Sequence, residues 1–413
     1  MSVLLKNGLV LRNVRSEPEV CDILIEDGKI TAIGKLSVRG SCEVYDFSNK
    51  LLMPGFINAH THAAMTLMRG YAEDLKLKEW LFERILPVEE RLTEQDIYYG
   101  TMLAQMEMAK RGIVAYADMY FHCDSVARAA LDFGMKVLIT RGLVDFDSEK
   151  GRLKQNVEYY ERWDGRGGLI RVGFGPHAPY SCSLRYIDEI AKMALKLQSP
   201  IMIHLYETSE ENYDLSSLLQ TSLRDCKVLF AHCVHVKDSD IPLLVNDRFF
   251  VVHNPTSNLK LGSGIAPIHK FISSNVQVCL GTDGAASNNS LDVWYEMRLA
   301  TLLQKLTDPH HLSVEQALSM AIEQGAKALG LSSGKIEIGD DADLIVVDLN
   351  KPWYVPREKI KAHIVHAGCS LDVFATMVKG RWIYYDGKFP TIDEEYVFKK
   401  CEEAIKRLIG TTN

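Results

Sequence analysis

The chain has 413 residues, 47% of them hydrophobic and 24% charged, which is the balance of a soluble globular protein. Its net charge of −7 argues against a nucleic-acid partner, because proteins that bind phosphate backbones usually carry a basic excess. No apolar run reaches the roughly 18–20 residues of a membrane helix, and the amino terminus lacks the pattern of a secretory signal. The nine scattered cysteines form no Cys-x-x-Cys pair, which predicts free thiols in a reducing cytoplasm.

Short apolar runs separated by turns predict strands in the first 50 residues: Ser2–Leu11, Val20–Glu26, Lys29–Gly34 and Ser41–Phe47. Eight apolar, β-rich runs follow: Leu51–His62, Ile113–His122, Lys136–Val144, Ile170–Tyr180, Ile201–Thr208, Lys227–His235, Phe249–Asn258 and Val276–Ser287. Helical patterns between them include Thr93–Arg111, Leu184–Leu197, Glu210–Leu219 and Ser290–Leu306. Eight buried strands alternating with helices predict a (β/α)8 barrel of TIM type. An open doubly wound sheet is the alternative, but no Gly-x-Gly-x-x-Gly follows an early strand.

The end of the chain turns β-like again after a predicted helix at Ser313–Leu329. Its strand candidates are Lys335–Glu337, Asp343–Asp348, Ile360–Val365, Val373–Val378 and Arg381–Tyr385, and a helix at Asp393–Leu408 follows them. Neither β flank is large enough to bury a core alone. We therefore predict that residues 1–54 and 334–413 pair into one small β-sandwich beside a barrel of residues 55–333.

Candidate metal ligands lie near the carboxyl ends of four of the predicted barrel strands. His60 and His62 end the first strand, and residues i and i+2 of a strand point to one face. His204 lies on the fifth strand, His232 on the sixth, and Asp283 on the eighth. Barrel enzymes build their sites at the carboxyl ends of the strands. A single histidine there is more often a core residue, but the joint pattern of imidazoles and a carboxylate predicts a Zn²⁺ or Fe²⁺ site.

Longer motifs around these residues resemble the amidohydrolase superfamily of metal-dependent hydrolases. They are PGFINAHTH at 54–62, HNPTSNLKLGSG at 253–264, GTDG at 281–284 and GKIEIGDDADL at 334–344. Some members hold two metals bridged by a carbamylated lysine on strand four, but the run Ile170–Tyr180 contains no lysine, which favours one metal. Within the superfamily the chain is similar to the deaminases of S-adenosylhomocysteine and 5-methylthioadenosine. Those stretches are HAAMTLMRG at 62–70, WLF at 80–82, HLYET at 204–208 and DGAASNN at 283–289.

The resemblance implies hydrolytic deamination of an adenine-bearing nucleoside to its inosine analogue plus ammonia, through attack of a metal-bound hydroxide at C6. It implies one Zn²⁺ per subunit, with Fe²⁺ as the alternative, held by His60, His62, His204 and Asp283. The implied catalytic groups are Glu207 as the proton shuttle, with His232 and Asp283 acting on the water. The implied substrate contacts are Glu89 to the ribose, His177 to the purine or ribose, Trp80 as a wall of the purine pocket, and Arg141 and Arg152 to a substrate carboxylate.

Simpler interpretations of the substrate contacts stay open. The sequence around Glu89 is equally consistent with an acid that stabilises a helix N-terminus. Arg152 is equally consistent with one member of a surface ion pair. The same fold and metal would also suit a guanine deaminase or a triazine chlorohydrolase, and a non-catalytic scaffold is a more distant alternative. Barrel enzymes of this kind commonly assemble, so a homo-oligomer is expected.

Overall fold

A computed structural model describes residues 2–37, 41–145, 151–332 and 334–410. In these ranges the strands are β1 (Ser2–Val10), β2 (Glu19–Glu26), β3 (Lys29–Gly34), β4 (Glu43–Asp46), β5 (Lys50–Pro54), β6 (Phe56–Thr61), β7 (Ile113–Tyr120), β8 (Lys136–Leu143), β9 (Ile170–Pro176), β10 (Ile201–Leu205), β11 (Val228–His232), β12 (Phe249–His253), β13 (Gln277–Leu280), β14 (Leu344–Asp348), β15 (Val373–Val378) and β16 (Arg381–Tyr385). The α-helices are α1 (Leu77–Glu79), α2 (Leu86–Glu89), α3 (Glu94–Lys110), α4 (Cys123–Phe133), α5 (Arg152–Trp163), α6 (Leu184–Leu197), α7 (Leu215–Leu218), α8 (Pro255–Lys260), α9 (Ile268–Ser273), α10 (Ala285–Asn288), α11 (Val293–Gln304), α12 (Val314–Ala321), α13 (Glu323–Leu329), α14 (Ile360–His366) and α15 (Glu394–Leu408).

Strands β6 to β13 form one parallel sheet in which neighbours in sequence are neighbours in space. Residues on both faces of these strands are buried; all eight residues of β7, for example, are buried. The two edges of the sheet meet where the backbone N–H groups of Thr282 and Asp283 donate to the carbonyl of His60 at 3.1 and 3.0 Å. The chain after β13 thus completes a nearly closed barrel against β6, and the predicted fold class is confirmed.

The two flanks of the chain form a second, mostly antiparallel sheet in the order β16-β15-β14-β5-β1-β2-β3, with β4 paired to β1. Strand β5 from the first flank pairs antiparallel with β14 from the second, Leu52 lying opposite Val346. The sheet has its own apolar core, to which both flanks contribute. The flanks therefore join in one β unit, as predicted. The second predicted domain boundary falls at Ser333, which lies outside the described residues.

A buried ion pair links the barrel to this β unit. Lys136 opens β8 and is 1% exposed, and its ammonium donates to Asp341 Oδ2 at 2.7 Å and to Asp343 Oδ2. Both acids lie within the three residues before β14. Since a buried charge needs a partner, this cation fixes how the two units pack.

Three predicted elements are wrong in the described structure. The run Ile360–Val365 is the helix α14, the run Lys335–Glu337 carries no strand, and only α7 forms within Glu210–Leu219. Helix α14 packs against α11 and α12, and the indole N–H of Trp294 donates to the carbonyl of Ile364 at 2.6 Å. Among the described helices none has the length and apolarity that crossing a membrane requires.

Candidate active site

Five side chains meet at the carboxyl ends of the barrel strands. His60 lies in β6, His62 just beyond it, His204 in β10, His232 at the end of β11, and Asp283 three residues after β13. The imidazole rings of His60, His62, His204 and His232 lie close together, with centroids 4.9 Å apart for His60 and His62 and 5.6 Å apart for His60 and His232. Parallel strands of a barrel end on one rim, so residues more than 200 positions apart share this site.

The five residues form two overlapping groups that share His60. In the first, His60, His204 and His232 have ligand atoms within 4.8 Å of one another, and in the second His60, His62 and Asp283 do. Asp283 Oδ1 lies 3.4 Å from Nε2 of His60 and 3.2 Å from Nε2 of His62. Within the described structure, the buried Nε2 of His60 has no hydrogen-bond partner. Imidazoles plus one carboxylate are the donors that divalent transition metals prefer, so the cluster can hold such an ion.

Backbone carbonyls orient two of these histidines. The Nδ1 atom of His62 lies 2.6 Å from the carbonyl of Met119, and Nδ1 of His204 lies 2.8 Å from the carbonyl of His177. A carbonyl can only accept, so each Nδ1 must donate, and each Nε2 is directed into the cluster. Metal-binding histidines usually have such a partner, because it fixes the tautomer and the ring orientation.

Asp283 is held by hydroxyl groups and by an unusual backbone conformation. Ser257 Oγ and Ser287 Oγ donate to Oδ2 at 2.6 and 2.9 Å, which leaves Oδ1 to face the histidines. Its φ is +59°, in the left-handed region that few non-glycine residues adopt. Although burial opposes ionisation, the nearby imidazoles of His60 and His62 hold the pKa of Asp283 well below its usual range, so it is an anion.

The histidines differ in how readily they bind a proton. Burial lowers the pKa of His60 to about 4 and that of His204 well below its usual value, so both are neutral at pH 7. Burial also acts against a proton on His62, but its contact with Asp283 outweighs burial and raises the pKa to about 9. A metal that binds through His62 must therefore displace a proton, and its affinity falls as the pH is lowered.

Glu207 brings a carboxyl group to the edge of the cluster. It lies on the loop after β10, is 5% exposed, and places Oε2 at 3.7 Å from Nε2 of His232. Burial raises the pKa of Glu207 to about 7. The Nδ1 atom of His232 lies 2.8 Å from Oδ1 of Asn258, an arrangement in which Nδ1 donates and Nε2 faces Glu207. The pair thus combines a carboxyl that changes protonation near neutral pH with an imidazole nitrogen.

A family model for the amidohydrolase family matches residues 51–383. The chain belongs to the amidohydrolase family. This membership was predicted from the motifs and is confirmed. The amidohydrolase is 50% identical over 411 residues to a 5-methylthioadenosine/S-adenosylhomocysteine deaminase from Thermotoga maritima, covering 99% of this chain and 100% of the relative. It is 39% identical over 431 residues to a 5'-deoxyadenosine deaminase from Methanosarcina mazei, covering 100% and 99% of the two chains.

A solved structure extends the comparison to three dimensions. The crystal structure of an adenosine deaminase from Xanthomonas campestris with bound zinc superposes on the amidohydrolase with a TM-score of 0.93. The two chains are 29% identical, and the superposition covers 99% of each.

Two further predicted residues of the amidohydrolase, Glu89 and Trp80, lie on the segment between β6 and α3. Glu89 ends α2 and is partly exposed, but its Oε1 atom is buried and has no hydrogen-bond partner within the described residues. Burial raises the pKa of Glu89 to about 7, and Tyr120 and His62 are the groups that act against this shift. Trp80 is 5% exposed and begins a π-helical turn, Trp80–Ile85, a distortion that is frequent at functional sites.

The remaining predicted residues occupy different surroundings. His177 follows β9, with its ring centroid 4.9 Å from that of His204. Arg141 lies in β8 opposite Tyr120 of β7, is 8% exposed, and donates to the carbonyl of Gly142 at 2.8 Å. Arg152 is the first residue of α5 and is partly exposed. His177 and Arg141 thus lie with the strand ends, whereas Arg152 belongs to a surrounding helix.

The structure adds site residues to which sequence analysis gave no role. Ser257 and Asn258, which contact Asp283 and His232, lie in the HNPTSNLKLGSG motif at 253–264. Ser287 lies in the DGAASNN motif at 283–289. The motifs were therefore the available signal, but only the fold shows which of their hydroxyl and amide groups point at the cluster.

Proposed function

We propose that this amidohydrolase deaminates adenine-bearing nucleosides that are modified at the 5′ position, including S-adenosylhomocysteine, 5-methylthioadenosine and 5′-deoxyadenosine, and also adenosine. The observation that carries the proposal is the buried carboxyl of Glu207, 3.7 Å from His232 at the edge of a cluster able to hold a metal. The relatives at 50% and 39% identity, which bear the names of such deaminases, support the choice of substrate.

One Zn²⁺ per subunit would be held by His60, His62, His204 and Asp283, and Fe²⁺ would fit the same donors. The metal would supply a water whose pKa is lowered to about 7, so that hydroxide is available at neutral pH. The buried, unpaired Nε2 of His60 supports this assignment.

The protein's own groups account for the proton transfers. Water adds to C6 of the purine, the bond from C6 to the exocyclic nitrogen breaks, and ammonia leaves. Glu207 would protonate the ring nitrogen N1 and later the departing amine, and a pKa near 7 lets it both give and take a proton at neutral pH. His232 would orient the water through Nε2, and Asp283 would accept a proton from it.

Recognition of a nucleoside would fall to residues around the strand ends. The buried, unpaired Oε1 of Glu89 can accept a hydrogen bond from a ribose hydroxyl, which favours a nucleoside substrate over guanine or a triazine. Trp80 and His177 would contact the purine or ribose. Arg141, and from α5 Arg152, would bind the carboxylate of a substrate such as S-adenosylhomocysteine, since guanidinium groups suit bidentate contacts with carboxylates.

We also infer that the enzyme acts in the cytoplasm as a homo-oligomer and has no nucleic-acid partner. All nine cysteines are free, and seven of them are buried, which supports a reducing compartment. Tyr295, Leu302 and Leu306 on and just after α11 are 53%, 52% and 71% exposed, which supports contact with another subunit. The net charge of −7 argues against binding to a phosphate backbone.

Ultraviolet spectroscopy of the purified protein tests the proposal. Bound metal is measured first, and then S-adenosylhomocysteine, 5-methylthioadenosine, 5′-deoxyadenosine, adenosine and guanine are offered separately. We expect the adenine spectrum to change to that of the inosine analogue, with release of ammonia. No spectral change with any adenine nucleoside by metal-loaded protein would overturn the proposal, and turnover of guanine alone would support the guanine alternative.

A further inference from the structure

The loop that carries Glu207 has a conformation that needs support. Strand β10 ends at Leu205, and Tyr206 then adopts φ of +47°, in the left-handed region that is unfavourable for a bulky side chain. This turn directs the Glu207 side chain toward His232. Because a strained residue persists only where its surroundings fix it, contacts elsewhere must hold the loop in place.

Glu211 supplies one such contact through its side chain. Its Oε1 atom accepts hydrogen bonds from the backbone N–H groups of Glu207 at 2.7 Å and Thr208 at 3.0 Å. Its Oε2 atom accepts from the hydroxyl of Tyr213 at 2.8 Å. Hydrogen bonds to a carboxylate are stronger than those between neutral groups, so Glu211 anchors the backbone of Glu207 itself.

Tyr213 extends the support to the strained residue. Its hydroxyl accepts from the backbone N–H of Tyr206 at 2.8 Å, and the hydroxyl of Tyr206 donates to the carbonyl of Tyr213 at 2.7 Å. The two rings are nearly parallel, 8° apart in orientation and 4.5 Å apart between centroids. Glu211 and Tyr213 thus hold the three consecutive backbone N–H groups of Tyr206, Glu207 and Thr208.

We propose that Glu211 is a positioning residue that fixes the carboxyl of Glu207 for proton transfer. The inference rests on the proposed function, because it takes Glu207 as the proton shuttle. Loss of the Glu211 carboxylate leaves the N–H groups of Glu207 and Thr208 without their acceptor and frees the loop to move. Proton transfer is sensitive to such movement, since a displacement of about 1 Å can cost on the order of 10²-fold in rate.

The kinetic test compares Glu211→Ala with Glu211→Gln and with the control Asn212→Ala, whose side chain is exposed on the same loop. For Glu211→Ala we expect kcat to fall about 10- to 100-fold, with KM changed less than about threefold and bound metal retained. Glu211→Gln should restore most of kcat, because its amide oxygen can still accept from both backbone N–H groups. Asn212→Ala should behave as wild type.

A double-mutant cycle distinguishes positioning from a structural role. If Glu211 acts through Glu207, adding Glu211→Ala to Glu207→Gln should lower kcat by less than about twofold, because the shuttle is already lost. Full additivity of the two losses would overturn the inference, and so would an unchanged kcat in Glu211→Ala or an equal loss in Asn212→Ala.

Hydrogen–deuterium exchange gives a readout that does not depend on turnover. We expect peptides that contain residues 206–208 to exchange faster in Glu211→Ala than in wild type or Asn212→Ala, since the N–H groups of Glu207 and Thr208 lose their acceptor. Unchanged exchange would overturn the inference even in an active enzyme. A third outcome separates the two proposals. If wild-type protein turns over no adenine nucleoside but residues 206–208 still exchange faster in Glu211→Ala, the proposed function is overturned and the anchoring by Glu211 stands.

Discussion

Replacing Glu207 with Gln removes a proton shuttle while preserving the size of the side chain. The carboxyl is 5% exposed and lies 3.7 Å from Nε2 of His232. Burial raises its pKa to about 7, so both protonation states are populated at neutral pH. General acid–base groups typically contribute ~10²–10⁴-fold to rate. We therefore expect kcat of Glu207→Gln to fall by that factor, equivalent to about 3–5 kcal/mol of activation free energy.

Steady-state deamination at pH 7 and metal analysis measure this effect together. Bound metal should stay at the wild-type level, because Glu207 is not among the proposed ligands. KM should change only a few-fold, since the Gln amide can still donate a hydrogen bond to the purine ring. Glu210→Gln is the matched control, because Glu210 is the adjacent acid in sequence order but its side chain is 62% exposed and pairs with Lys78 on the surface. It should leave kcat unchanged.

Two results would refute this reasoning. A kcat for Glu207→Gln within about threefold of wild type would remove Glu207 from the proton transfers, because such groups are worth ~10²-fold or more. Loss of the metal would instead assign Glu207 to the coordination of the ion.

Three further predictions concern substrate binding, packing and pH. Glu89→Gln should raise KM for adenine nucleosides about 5- to 10-fold, because a hydrogen bond to a carboxylate is worth about 1.5–3 kcal/mol and one to a neutral amide oxygen about 0.5–1.5 kcal/mol; steady-state kinetics measure it. Lys136→Met should lower the free energy of unfolding in urea by about 3–5 kcal/mol, because Asp343 keeps a buried charge without that cation. Burial raises the pKa of Glu296 to about 7 from 4.5, so the folded protein binds a proton that the unfolded chain releases. Between pH 5 and pH 8 the free energy of unfolding of wild type should therefore fall by about 2–3 kcal/mol more than that of Glu296→Gln. Urea unfolding of both proteins at the two pH values measures this difference.

Each of these has a specific control. A KM defect of Glu89→Gln that persists with 2′,3′-dideoxyadenosine would contradict a contact to the ribose hydroxyls. Lys29 also pairs with Asp341, at 2.7 Å, but its side chain is 48% exposed. Lys29→Met should therefore lower the free energy of unfolding by less than about 1 kcal/mol. Equal losses for the Lys29 and Lys136 variants would contradict the importance of burial. For Glu296, parallel changes in stability with pH for wild type and variant would exclude its titration as the cause.

The sequence determined the architecture and the composition of the site. Apolar runs buried on both faces identified the barrel strands, and strands that are consecutive in the sequence are neighbours in a (β/α)8 barrel. That order places the ends of β6, β10, β11 and β13 on one rim, so His60, His204, His232 and Asp283 could be brought together before any coordinates were known. The two-residue period of a strand added His62 to the face of His60.

Tertiary contacts decided what local patterns could not. Ile360, Ile364 and Val365 are β-branched and predicted a strand, yet the four-residue spacing of the isoleucines also fits a helix face. Packing against α11, with the Trp294 indole bonded to the Ile364 carbonyl, selects the helix. The role of Glu211 likewise has no sequence signature, because an acid four residues after Glu207 becomes its anchor only when the turn at Tyr206 brings the backbone back to it. Hydrophobic periodicity is a local property and can be read from the sequence. The hydrogen bonds that orient a functional group depend instead on where distant backbone segments meet.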